Sequence, residues 1–189
     1  MIESFRNARD LLNVFAADPA SSAFVQAVAA LVAARFGGGA KVLICGNGGS
    51  LADSVHFAEE LTGRFRADRP ALPAIAIAEP GHITCTANDY GFERVFSRGV
   101  EALGRKDDVL IVLSTSGNSA NIVLAVEAAR AKGLATVALL GKGGGRLRGV
   151  CDHELIAPGE SADRIQEIHM LVLHALVEHV EIAMGYARS

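Results

Sequence analysis

The chain has 189 residues, with eighteen Lys and Arg against twenty-one Asp and Glu, for a net charge of −3. That length suits one domain able to bury its own core without a disulfide or a structural metal. The charge balance, 5% aromatic residues and absence of Trp argue against electrostatic binding to nucleic acid or a membrane surface, and against base stacking.

The start, Met1-Ile2-Glu3-Ser4-Phe5, carries an acid where a signal peptide carries positive charge, and no apolar segment of that kind follows. The longest apolar stretch, 25–36, is interrupted by Gln26 and Arg35, so no membrane span is expected. Cys45, Cys85 and Cys151 are odd in number, far apart and without a CxxC pair. They form no disulfide framework, and the compartment they imply is the cytoplasm.

Helical patterning covers 3–17 and 21–36, the first ending at Asp18-Pro19 and the second at Gly37-Gly38-Gly39. Short apolar runs then alternate with helices. Strands are predicted over 41–45, 74–77, 109–113, 135–140 and 153–157, and helices over 50–63, 119–132 and 161–186. Asn88-Asp89-Tyr90-Gly91, between the second and third strands, reads as a loop whose polar groups suit a polyol. Continuous apolar strands between helices predict an α/β fold, with a five-stranded parallel sheet covered on both faces. In the flavodoxin-like order 2-1-3-4-5, ligands bind beyond the carboxyl ends of strands one and three.

Both loops at that point have the composition of an anion site. Gly46-Asn47-Gly48-Gly49-Ser50 follows the first strand and Ser114-Thr115-Ser116-Gly117-Asn118-Ser119 the third, and each opens into a helix. Small residues there leave backbone N–H groups free, and the second loop adds four hydroxyls, a set suited to a phosphate monoester. A single loop of this kind is also what a tight turn looks like, and Ser119 alone also fits an N-cap. Two loops facing one crevice favour a ligand. Neither GxGxxG nor GxxxxGK[ST] is present. Lys142-Gly143-Gly144-Gly145 reads as a flexible turn, although Lys142 would neutralise an anion.

His56 and Glu60 stand at i,i+4 on the predicted helix after the first loop, a spacing that chelates a metal but also occurs as a surface pair. The last helix carries Gln166, Glu167, His169 and His174 within an apolar run, and buried polar groups need partners. Gln166 and His174 are eight residues apart, ~12 Å along an ideal helix. Geometry therefore leaves His169, at i+3 from Gln166, as a rival to His174. Glu178 and His179 read as solvated, and His82 and His153 as ordinary.

The segments CGNGGSLADSVHFAEELTGRF, ANDYGFERVFSR, STSGNSANI and ADRIQEIHMLVLH resemble those of SIS-domain (sugar isomerase) proteins, and more closely the phosphoheptose isomerases. The resemblance runs to about Glu181. It implies a single SIS domain over 1–189: N-terminal helices over 1–36 used in oligomerisation, a three-layer α/β core over 40–157, and a C-terminal helix over 161–187. It implies conversion of sedoheptulose 7-phosphate to glycero-manno-heptose 7-phosphate, the first step towards ADP- or GDP-heptose precursors, by a cytoplasmic homotetramer with sites at its subunit interfaces. Carried over, the family's Zn2+ ligands fall on His56, Glu60, Gln166 and His174, and its acid/base pair on Glu60 and His174. Its phosphate loop falls on Ser114, Thr115, Ser116 and Ser119. Other substrate contacts fall on Asn47, Gly48, Gly49, Ser50, Asn88 and Asp89, with Glu60 and Gln166 also facing the sugar. The alternative is a non-catalytic SIS-domain regulator, sensing a sugar phosphate or associating with a replication initiator. Such relatives commonly lose the second carboxylate and the late histidine, both retained here.

Overall fold

In the computed structural model, which describes residues 2–187, each apolar run becomes a strand. All of β1 (Val42–Gly46) and β3 (Val109–Ser114) is buried, as are all but the first residue of β4 (Ala135–Leu140). β2 (Ala74–Ala76) and β5 (His153–Ile156) are the less buried edges. The strands are parallel in the order β2-β1-β3-β4-β5. Val42 pairs with both Ala74 and Val109, so the chain reverses direction across the sheet at β1 and β3. That reversal sets their two following loops side by side.

Alternate strand residues feed two cores. Val42, Ile44, Ile111 and Leu139 pack beneath α2 (Pro19–Gly37), α3 (Gly49–Thr62) and α7 (Ala162–Ala183). Leu43, Cys45, Leu110 and Ala138 pack beneath α5 (Val95–Leu103) and α6 (Ala120–Ala131). The three-layer α/β expectation holds, with α1 (Glu3–Ala17) lying outside and burying only Phe15.

Two local expectations need correction. Asp18-Pro19 ends α1 and also starts α2: the Asp18 carboxylate accepts from the Ala20 N–H at 2.9 Å and Pro19 opens the helix. By length and composition alone α2 is apolar enough to cross a membrane, as core helices often are. Here it serves as a packing helix, with Val25, Val28, Ala29, Val32 and Phe36 in the core. Asn88-Asp89-Tyr90-Gly91 is not a loop: residues 88–90 end α4 (Pro80–Tyr90). Glu79 caps that helix, accepting from the Gly81 and His82 N–H groups with Pro80 in its first turn. His82 bonds the Val95 carbonyl at 2.8 Å and ties α4 to α5.

Candidate active site

The first loop is held by close backbone approach. Gly48 has φ +56 and opens α3, while a Cβ on Gly49 would fall 2.7 Å from Gln166 Oε1. Gln166, on the first turns of α7, lies against that glycine with its Nε2 3.3 Å from Ser50 Oγ. Asn47 exchanges two 2.9 Å amide bonds with Asn121 of α6. Its side chain therefore ties the first loop to the helix that follows the second.

In the second loop, Ser114 Oγ accepts from the Gly117 N–H and Ser116 Oγ from the Asn118 N–H. Both hydroxyls keep their own protons free to donate. Among the described residues, Thr115 and Ser119 hydroxyls have no hydrogen-bond partner, and Ser119 sits at the α6 N-cap position without making the cap bond. The loop thus supplies four hydroxyls just before a helix N-terminus, a composition that favours an anion.

The glycine turn after β4 is a buttress for this loop rather than a flexible turn. Gly117 (φ +63) packs on the Gly144 carbonyl so closely that no Cβ fits, and Gly145 lies against Ser116 O. Asn118 Oδ1 accepts from the Arg146 N–H at 3.0 Å, and Gly117 O from the Leu147 N–H at 3.2 Å. Lys142 is exposed at its edge.

The side chains of α3 and α7 meet at Glu60. Its Oε1 lies 3.2 Å from His56 Nε2 and 3.5 Å from His174 Nε2, and it is 8% exposed. One donor atom from each of the three residues fits within a 4.8 Å group. Among the described residues, Glu60 Oε2 is buried with no hydrogen-bond partner. Phe65 stacks on the His174 ring at 5.9 Å, and the His56 and His174 rings meet edge to face at 5.3 Å. The three residues are a group able to hold a metal ion.

His169 does not join this group. Its ring is fully buried, with Nε2 3.0 Å from the Leu140 carbonyl, and burial pushes its pKa down to about 4. Glu167 pairs with Arg164 at the surface, and Glu178 with Arg66. Asn88 and Asp89 are exposed on α4, where Asn88 bonds Asp89 and Asp89 accepts from Cys85 Sγ. Among the described residues they make no hydrogen bond to the other candidates.

Asp53, overlooked in the sequence, lies one turn before His56 with Oδ2 buried and unpartnered. Desolvation raises its pKa against the opposing pull of His56. Its i,i+3 spacing to His56 was the available signal.

Residues 5–141 match the SIS domain family. A phosphoheptose isomerase of Fusobacterium nucleatum is 55% identical over 97% of this chain and 95% of its own length. Phosphoheptose isomerase structures from Neisseria gonorrhoeae and Francisella tularensis superpose with TM-scores of 0.87 and 0.88, each at 38% identity over 95% of both chains. The chain belongs to the SIS-domain family and, within it, to the phosphoheptose isomerases.

Proposed function

We propose that this protein isomerises sedoheptulose 7-phosphate to glycero-manno-heptose 7-phosphate, supplying the first intermediate for activated heptose synthesis. The observation that carries this reading is the buried Glu60 carboxylate between two imidazoles from separate helices. A ketose becomes an aldose when one proton moves from C1 to C2 and another between the two oxygens. Glu60 removes the C1 proton to give a cis-enediol and returns a proton to C2. His174, within reach of Glu60, moves the proton on the oxygen side. Each such group is worth ~10²–10⁴-fold.

The serines and threonine of the second loop hold the phosphate, and Ser50 and the first-loop amides face the sugar. An anchored phosphate restricts the open chain so that C1–C2 lies against the carboxylate. Asn88 and Asp89 enter this reading as sugar contacts.

His56, Glu60 and His174, with the Gln166 amide, are the residues that would hold Zn2+. Mixed imidazole and oxygen donors suit Zn2+ over Mg2+ or Ca2+. When bound, the ion supplies Lewis-acid polarisation of the substrate carbonyl. A cytoplasmic homotetramer, assembled through the N-terminal helices, completes the reading. It is supported by the exposed Ile2, Phe5, Leu12 and Val14 of the α1 region.

The test is NMR of the purified protein with sedoheptulose 7-phosphate, before and after chelation and after Zn2+ is restored. Aldoheptose signals that vanish with chelator and return with Zn2+ are expected. Silence with Zn2+ present would favour the non-catalytic regulator.

A further inference from the structure

The segment joining α3 to β2 contains a guanidinium that is 2% exposed, paired with a carboxylate that is 4% exposed. Arg69 Nε donates to Glu181 Oε1 at 2.8 Å. Its Nη2 donates to the Glu60 backbone carbonyl at 2.7 Å, and its Nη1 to the carbonyls of Leu61 at 2.7 Å, Pro70 at 3.1 Å and Gly63 at 3.4 Å. Glu60 and Leu61 lie in the last turn of α3, where helix carbonyls have no intrahelical donor. Buried positive charge is favourable at that end. Glu181 follows His174 by seven residues, almost two turns, so both project from one face of α7. One planar fork thus joins the backbone of the residue bearing the central carboxylate to the helix bearing the second imidazole.

We propose that Arg69 and Glu181 form a latch that sets the register of α3 against α7, and thereby the separation of His56, Glu60 and His174. Arg69 is a positioning residue, and the inference rests on the metal-dependent isomerase reading above. The exposed pair Arg66–Glu178, at 2.6 Å, spans the same two segments, but among the described residues its guanidinium bonds only Glu178 and no helix carbonyl. It adds little to register. Lysine at 69 keeps the charge and loses the fork, so it cannot serve Glu60, Leu61 and Glu181 together.

The test measures Zn2+ affinity of the full-length apoprotein by competition with a chromophoric chelator, alongside kcat and KM. For Arg69→Lys the latch predicts Zn2+ affinity and kcat each lowered about 10–100-fold, the range for groups that orient metal ligands. KM stays within about threefold, since the phosphate loop stands on other strands. Glu181→Gln keeps the acceptor and loses the charge; it is expected to weaken Zn2+ by about threefold to tenfold. That variant carries the test if Arg69→Lys does not fold, while Glu178→Ala is expected to match wild type. Zn2+ affinity and kcat within twofold of wild type in the folded Arg69 or Glu181 variant, whatever the loss in Tm, would overturn the latch and leave the isomerase standing. A wild-type protein that binds no Zn2+ and turns over no substrate would overturn both.

Discussion

The loop after β3 and the cluster around Glu60 are held in place by different material. Ser114–Ser119 is fixed mainly by close backbone approach, Gly117 against the Gly144 carbonyl and its own carbonyl bonded to the Leu147 N–H, with the Asn118 side chain adding one bond to the same turn. The His56–Glu60–His174 cluster is fixed by side chains on two helices, brought together by packing and by the Arg69 fork. A backbone-built site tolerates changes in its side chains and fails when a glycine is filled. A side-chain-built site fails when a single functional group is changed.

The sharpest way to break that contrast is Glu60→Gln. It keeps the shape and loses the base, so kcat is expected to fall about 10³-fold or more, with substrate binding by calorimetry retained. Gly117→Ala attacks the other region through its frame. A Cβ there meets the Gly144 carbonyl at positive φ, so about 1–3 kcal/mol of stability should be lost in urea titrations. About 10²-fold in kcat/KM should go with it through misplaced phosphate. Ser116→Ala removes one hydroxyl and its bond from the Asn118 N–H, and leaves the contacts of Gly117 and Asn118 with the turn after β4. KM should rise about tenfold, one charge-assisted hydrogen bond, with kcat within threefold. A pure kcat effect would show that the loop does more than anchor.

A separate effect, on stability rather than turnover, concerns pH. Neutral His169 is buried on the Leu140 carbonyl with its pKa lowered to about 4, against about 6.5 in an unfolded chain. Between those values the unfolded state binds more protons, so stability falls as pH drops from about 6.5 towards 4 and is unaffected above. At pH 4.5 the loss is about 2–3 kcal/mol. His169→Gln, which keeps a donor in place of the imidazole and does not titrate, should show a shallower acid decline in urea midpoints. An unchanged decline would assign the acid sensitivity elsewhere.

The backbone-built region was the more legible one. Apolar runs followed by glycine and serine are local signals, and they placed β1, β3 and both loops to within about a residue. Two acidic caps before proline, Asp18 and Glu79, were equally local. Reading the first as only a stop shortened α2, and α4 and α5 were not anticipated. The choice between His169 and His174 was beyond spacing, because it depends on how α7 is rotated over the end of β4. The role of Arg69 left no motif: its partners are backbone carbonyls and a carboxylate 112 residues away.

The most direct measurement is deuterium incorporation at C2 of the aldose when conversion is run in D₂O, with wild type and Glu60→Gln side by side. Proton transfer through a carboxylate predicts solvent deuterium at C2 in the wild-type product and almost none formed by the variant. Wild-type product carrying only substrate-derived hydrogen at C2, together with undiminished turnover in Glu60→Gln, would contradict the account.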